Sequence, residues 1–356
     1  MKAAIYTSYG PPDVVQITDV AKPVPKDDEV LLRVRAASIN PYDWHFMRGD
    51  PYLIRLMAGL RKPKDQRLGA DVAGQVEALG STVTQFKPGD HVFGSCRGAF
   101  AEYTCASESK LAAKPENITF AQAAAVPIAA FTALQSFRLG GLDGKAPNQP
   151  RRKVLINGAA GGVGTFAVQI AKSFGAHVTG VCSTRNLDMV RSIGADRVID
   201  YTREDFTKTA PPAETQTGAQ VELHSGKQTE TFSGSHAGTG YDIFLDNVGN
   251  SSLSACRRLL NPNGIYIAAG GSTDPWMLRP IARMFTQFVL SRLDSRKLVG
   301  IFAKANQADL NILRELMATG RVTPVVDRQY SLNDLPEALR YVETGHARGK
   351  VVITFD

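Results

Sequence analysis

Over the first 115 residues the apolar positions come in short runs. Residues 2–7, 29–36, 74–79 and 91–93 are rich in Val, Ile and Ala, and Tyr9-Gly10-Pro11-Pro12 and Lys87-Pro88-Gly89-Asp90 punctuate them as turns. Short strands broken by Gly and Pro predict a barrel-like β domain. From Thr119 the spacing becomes helical. Residues 120–140 carry few charges, and Pro127 predicts a break or kink within them.

Beyond residue 150 apolar runs of strand length alternate with helical spacing. Strands are expected at 153–156, 177–182, 197–200, 241–245, 264–268 and 298–302, and helices at 164–174, 187–193 and 251–260. Strands alternating with helices predict a doubly wound parallel sheet, so the fold class is α/β with a β domain attached. The tail predicts a helix at 307–319, an extended stretch at 322–330, a helix at 332–344 and a strand at 350–355. Those extended pieces could return to the β domain. The domain reading is therefore 1–127 with 306–356, enclosing 128–305.

Residues 207–240 interrupt the alternation with seven Thr, five Gly and three Ser, and almost no apolar periodicity. Such a stretch buries too little surface to offset its ordering entropy, which predicts a long, mobile surface insertion. Its His224 and His236 are expected as solvated histidines. The run 50–60 is apolar, and reads either as a flap over a substrate or as core packing. The run 277–293 is apolar and helical, with Arg279, Arg283 and Arg292 along it. A substrate wall, a dimer contact, a membrane-surface patch and ordinary burial all stay open for it.

At 43% hydrophobic and 21% charged, the 356-residue composition is that of a globular protein with roughly two domains. No run approaches the roughly 18 apolar residues of a membrane span, and the N-terminus lacks a signal-peptide core, so the expected location is the cytoplasm. The net charge of +7 permits anionic ligands, but its basic residues are scattered and lack interleaved aromatics, so no nucleic-acid partner is expected. Cys96, Cys105, Cys182 and Cys256 form no metal-ligand pattern and read as reduced structural thiols.

After the strand at 153–156 comes Asn157-Gly158-Ala159-Ala160-Gly161-Gly162-Val163-Gly164 and then a helix. Read from Ala159 this is A-x-G-x-x-G, a variant of the dinucleotide fingerprint. Small residues permit the tight turn and a close pyrophosphate, Gly164 permits close helix–strand packing, and the helix start supplies N–H groups. Strand, turn, helix and second strand follow in the order the motif requires. After the second strand, where a carboxylate would hold the ribose of NAD, stand Ser183, Thr184 and Arg185. Hydroxyls and a guanidinium with no acid beside them suit a 2′-phosphate, so NADPH is the expected cofactor.

Gly69-Ala70-Asp71-Val72-Ala73-Gly74, Lys87-Pro88-Gly89-Asp90-His91-Val92-Phe93-Gly94, Gly98-Ala99-Phe100-Ala101-Glu102-Tyr103, the glycine turn, Gly194-Ala195-Asp196 with Asp200-Tyr201, and the tail Gly345-His346-Ala347-Arg348-Gly349-Lys350-Val351-Val352 follow one another along nearly the whole chain. In these motifs the sequence resembles the medium-chain dehydrogenase/reductase superfamily, in its zinc-independent, quinone oxidoreductase-like (zeta-crystallin-like) branch. The resemblance implies a GroES-like β domain, a Rossmann domain and a cleft between them. Zinc-dependent members have Gly-His-Glu where this chain has Gly69-Ala70-Asp71, and a cysteine near the place of Asn40 or Pro41. Neither ligand is present, so no metal is expected. The implied activity is hydride transfer from NADPH to a quinone or an α,β-unsaturated carbonyl. A zinc-free aldehyde or alcohol oxidoreductase and a low-turnover NADPH-binding sensor or RNA-binding scaffold are the alternatives.

The resemblance also places residues. Asn40 corresponds to the asparagine near the nicotinamide, Thr132 to the threonine at the domain junction, and Tyr201 to the tyrosine beside the adenosine. Ala160 to Gly164 and Ser183 to Arg185 complete the cofactor's near side. Asn247, Val248, Gly249, Ala269, Gly270, Gly271, Phe302 and Ala303 are expected to border the ribose and nicotinamide, and Arg348 and Lys350 to reach the cofactor. No proton donor stands out: Tyr42, Asp43, Tyr52 and water are candidates, with Asn40, Tyr42 and Tyr52 the expected catalytic group. A small electrophilic acceptor and a homodimer are the expected partners.

Overall fold

The computed structural model describes residues 1–144, 151–209, 240–270 and 295–355. Gly271, the run 277–293 and all but the edges of the expected insertion at 207–240 lie outside the described residues.

Strands β1 (Lys2–Tyr6) and β2 (Val15–Asp19) form an antiparallel ribbon. A seven-stranded sheet follows, built from β3 (Glu29–Ser38), β4 (Asp71–Leu79), β5 (His91–Ser95), β6 (Tyr103–Ser107) and β7 (Leu111–Ala113), with two strands from the C-terminus. Of these, β2, β6 and β7 were not expected from the pattern.

The reading of the first 115 residues as wholly β is corrected by two helices, α1 (Pro41–Arg48) and α2 (Leu53–Ala58). The start of α1 has a local cause. Asn40 N donates to Asp43 Oδ2 at 2.8 Å, while Pro41 occupies the first turn, where its missing N–H costs nothing.

Thr119 and Gln122 cap each other reciprocally to start α3 (Phe120–Ala124), and Pro127 starts α4 (Pro127–Leu139), the break expected there. The second sheet is parallel: β8 (Lys153–Asn157), β9 (His177–Cys182), β10 (Arg197–Asp200), β11 (Tyr241–Asp246), β12 (Leu260–Ala268) and β13 (Lys297–Gly300). Its order is β10-β9-β8-β11-β12-β13, the doubly wound arrangement whose switch point lies between β8 and β11. Helices α5 (Gly162–Ser173), α6 (Leu187–Ser192) and α7 (Leu253–Arg258) connect these strands. All five residues of β8 are buried, as a parallel strand covered on both faces requires. Strand β13 ends at Gly300, so Phe302 lies beyond it and not within it as expected.

The tail runs through α8 (Gln307–Ala318), β14 (Val326–Ser331), α9 (Leu335–Glu343) and β15 (Lys350–Thr354). Strand β15 pairs antiparallel with β3, so the end of the chain rejoins its beginning. Ala36, Ala73 and Phe93 of one sheet and Val154 and Ile156 of the other share a single buried cluster with Phe131 and Phe137 of α4. Among the described residues, no helix is long and apolar enough to cross a membrane.

Candidate cofactor and acceptor site

The glycine turn lies where β8 gives way to α5. Gly158 has φ +74°, so the left-handed position falls on it and not on Ala159, which is fully buried. A Cβ on Gly164 would stand 2.1 Å from Gly158 O, which leaves no room for any side chain where helix and strand meet. A Cβ on Gly161 would meet nothing closer than that oxygen at 3.5 Å. Its surroundings are open, and the helix start carries neither a side-chain cap nor an acid in its first turn. Among the described residues no side chain caps the first N–H groups of α5, the arrangement that takes a phosphate. The residues fit a dinucleotide here.

At the end of β9 the expectation that no acid stands near Ser183, Thr184 and Arg185 is corrected. Strand β10 runs beside β9 and brings Asp200 opposite Cys182. Thr184 donates to Asp200 Oδ2 at 2.5 Å and Thr202 to Oδ1 at 2.7 Å, and Arg203 lies 3.6 Å away. The Thr184 hydroxyl leads in holding this carboxyl below the usual range, with Thr202 and Arg203 assisting. Ser183 Oγ accepts from Asn186 at 3.2 Å. Arg185 is exposed and donates to His346 O at 2.8 Å, and Tyr201, just past the end of β10, is exposed with its backbone N bonded to Cys182 O at 3.1 Å.

The tail stitches the two sheets together at this point. Gly349 N donates to Ala160 O at 2.8 Å, pairing the tail with the glycine turn. The stem of Lys350 runs close under Gly162. Its ammonium, 4% exposed, donates to Asn40 Oδ1 at 2.6 Å and Ile39 O at 3.0 Å, and lies 3.8 Å from Asp71 Oδ2. Asp71 accepts from Asn40 Nδ2 at 2.9 Å, Ser38 Oγ at 3.1 Å and Ile128 N at 3.1 Å. Asp43 accepts from Asn40 N and, at 3.1 Å, from Gly69 N.

Two buried carboxyls thus share one ammonium. Burial pushes Asp43 up to about 7, with Asp71 adding to the effect, and burial also raises Asp71 against the pull of Lys350. Desolvation lowers Lys350 while both acids oppose it. A proton on Asp43 relieves the surplus negative charge.

This geometry revises two expectations. Every polar atom of the Asn40 side chain is engaged within the cluster, and the residue is 2% exposed, so it positions its neighbours instead of facing an open cleft. Lys350, expected to reach the cofactor, has its ammonium buried and bonded to Asn40 Oδ1 and Ile39 O. Arg348 is exposed, with its backbone N bonded to Asp327. Thr132 is buried and donates to Ile128 O at 2.8 Å within its own helix.

On the other side of the glycine turn, Asp246 organises the loop after β11. It accepts from Val248 N, Gly249 N, Asn157 Nδ2 and the Tyr266 hydroxyl. Asn247 Nδ2 donates to Asn157 O, while its buried Oδ1 has no partner among the described residues. That orphaned acceptor at the switch point is a second feature that fits a bound dinucleotide. Ala269 and Gly270 bond through their N–H groups to Asp246 O. Phe302 is 91% exposed, with Ala303 partly buried beside it.

Tyr42 and Tyr52 are both exposed, and burial of part of the Tyr42 ring, with Asp43 close by, keeps its hydroxyl protonated above the ordinary range. Pattern reading missed Asp246, although an acid closing an apolar strand just before Asn247-Val248-Gly249 was a usable signal. The Asp71–Lys350 pairing had no local signal, because the residues meet only through β15.

The donor set at residues 40, 70 and 71 is an amide, a methyl and a carboxylate facing an ammonium. Among the described residues no three His, Cys, Asp or Glu side chains gather as metal ligands. A catalytic zinc does not fit a place already held by a cation.

The family description "Alcohol dehydrogenase GroES-like domain" matches residues 26–116, and "Zinc-binding dehydrogenase" matches residues 193–353. A quinone-oxidoreductase homolog of the chloroplast of Spinacia oleracea is 32% identical over 361 residues, covering 99% of this chain and 98% of its own. The mitochondrial NAD(P)H oxidoreductase RTN4IP1 of Mus musculus is 31% identical, over 99% of this chain and 89% of its own. Among solved structures, the quinone oxidoreductase of Coxiella burnetii superposes with a TM-score of 0.78 at 28% identity, over 100% of this chain and 99% of its own. With both of its folds, its glycine turn and its full-length kinship accounted for, the chain belongs to the medium-chain dehydrogenase/reductase superfamily, as an oxidoreductase of the quinone oxidoreductase-like kind.

Proposed function

We propose that this protein uses NADPH to reduce quinones or α,β-unsaturated carbonyls, without a metal. When bound, the reduced nicotinamide supplies the hydride. The uncapped start of α5, with Ala160 to Gly164, takes the pyrophosphate. Arg185 and Tyr201 take the adenosine end, where the guanidinium favours a 2′-phosphate, and the exposed Arg203 next to Asp200 adds to the positive side. Asn247, Gly249 and Gly270 border the ribose and nicotinamide, Asn247 Oδ1 offering an unused acceptor. Tyr42, whose hydroxyl is held protonated above the ordinary range, and Tyr52 are both exposed, and either could hand a proton to a reduced acceptor or leave that to water.

The observation that carries this reading is the stitch by Gly349 and Lys350. It joins an uncapped glycine turn to a cluster whose central cation is an ammonium and not a metal. Without a Lewis acid to stabilise an alkoxide, an acceptor that delocalises the arriving charge is favoured. Holding donor and acceptor in contact offsets a large part of the barrier, up to roughly 7–11 kcal/mol in good cases. Following NADPH oxidation with quinones, enones, aldehydes and saturated ketones tests the reading. Quinones and enones are expected to lead, with deuterium from 4-deuterated NADPH on the enone product carbon. Best turnover with saturated ketones, or an enone reduced without label, overturns it.

A further inference from the structure

Of the apolar run at 50–60, Leu53, Leu56, Met57 and Leu60 are neither core nor covered among the described residues. Helix α2 contains no buried residue. Leu53, Leu56, Met57 and Leu60 are 51%, 63%, 78% and 68% exposed, and Tyr52 is exposed at their edge. These five are nearly half of the eleven large apolar side chains exposed among the described residues, so they form a patch and not a scatter.

The patch is held out on a fixed base. Tyr9 donates through its hydroxyl to Gly59 O at 2.6 Å, and Lys64 N donates to Ala58 O at 2.8 Å. Arg55 lies over the rings of Tyr9 and Tyr52, at 4.7 and 4.9 Å, and its Nε donates to Gly49 O at 3.0 Å. Arg55 and the backbone carbonyls of Ala58 and Gly59 secure the segment, while Leu53, Leu56, Met57 and Leu60 are left exposed.

Directly after the patch, Arg61, Lys62 and Lys64 are exposed. The acid that follows, Asp65, is occupied by Arg67 in a two-point contact at 2.8 and 2.9 Å. Apolar side chains beside a cluster of cations, with a tyrosine at the border, match the chemistry of an anionic lipid interface. A second copy of this chain would bring the same cations face to face, which opposes self-association through this patch.

We propose that residues 52–64 dock on an anionic lipid surface. Leu53, Leu56, Met57 and Leu60 enter the boundary between headgroups and acyl chains, and Arg61, Lys62 and Lys64 meet lipid phosphates. Docking there sets α1 and Tyr42 beside the bilayer, where apolar acceptors dissolve. The inference stands apart from the acceptor chemistry, since its readout is partition and not turnover.

The test is co-sedimentation of the full chain with phosphatidylcholine vesicles, with and without phosphatidylglycerol, at low and high salt. Partition is expected to rise with phosphatidylglycerol and to fall with salt. At about 1 kcal/mol per cation near the surface, each of Lys62→Gln and Lys64→Gln should lower it roughly fivefold. Leu56→Ser with Met57→Ser should lower it on both vesicle types. The lysine variants should reduce a water-soluble quinone at the wild-type rate, and all variants should melt as wild type because the side chains are exposed. A wild-type chain that stays in the supernatant, or a partition indifferent to phosphatidylglycerol and to these substitutions, overturns the proposal. So does a dimer in light scattering that Met57→Ser dissolves, which would assign the patch to a second copy. A chain that partitions as expected but reduces none of the acceptors would sink the proposed activity and leave this inference standing.

Discussion

In the proposed reading cofactor choice turns on Arg185, whose guanidinium already donates to His346 O at 2.8 Å. A 2′-phosphate has to compete with that carbonyl, which places the gain at the low end for a charge-assisted contact, about 1.5 kcal/mol or roughly tenfold in affinity. Arg185→Ala is therefore expected to weaken NADPH binding about tenfold and to leave NADH binding nearly unchanged, as read by fluorescence titration of both. Equal losses would remove Arg185 from the 2′-phosphate. Asp200 is the residue that could reverse the preference, because a carboxylate there could accept from a ribose hydroxyl. Its oxygens are already taken by Thr184 and Thr202, with Arg203 close by, which keeps it from that task.

At the scale of an element, the join of β8 to α5 separates packing from binding. The two glycines differ in what a methyl would meet: Gly158 O at 2.1 Å from Gly164, and the same oxygen only at an ordinary contact distance of 3.5 Å from Gly161, whose backbone is extended at φ −82°. Gly164→Ala should force helix and strand apart, lowering the melting temperature and cofactor affinity together. Gly161→Ala should melt as wild type and still lose NADPH, because its methyl stands where the pyrophosphate would approach. Melting curves with and without NADPH distinguish the two. A Gly161→Ala protein that binds NADPH normally would remove the turn from the cofactor site. Both glycines were legible in the sequence as one motif; only the clearances tell their roles apart.

For the whole molecule the key contact is Lys350, which joins the seven-stranded sheet to the glycine turn of the parallel one. Lys350→Met leaves Asp71 and Asp43 buried without their cation. Removing one member of a buried ion pair typically costs about 3–5 kcal/mol, and Asp43, already pushed up to about 7, softens that by holding a proton. The variant should unfold at markedly lower urea than wild type. It should also bind NADPH more weakly, since Gly349 shares the same strand start as Lys350 and bonds Ala160. Wild-type stability in Lys350→Met would show that the stitch carries no load.

Local sequence determined the alternation of strands and helices from residue 153, the helix break at Pro127 and the glycine turn, and left open the return of the tail, which the pairing of β15 with β3 decides. Each of the first three is written in neighbouring residues: buried parallel strands need unbroken apolar runs, a helix stops where proline lacks its N–H, and a tight turn needs glycine. Helix α1 was legible in the same way, through Asn40, Pro41 and Asp43, but short β-like runs on either side hid it. Only the tertiary structure decided that Asp200 stands beside Thr184, because the two lie on different strands that meet across the sheet. It likewise decided that Asn40 and Lys350 are buried in one cluster with Asp71, where the family resemblance alone had implied a place near the cofactor. Residues far apart in the chain acquire a charge partner only when the fold brings their strands together, and no local period records which partner that will be.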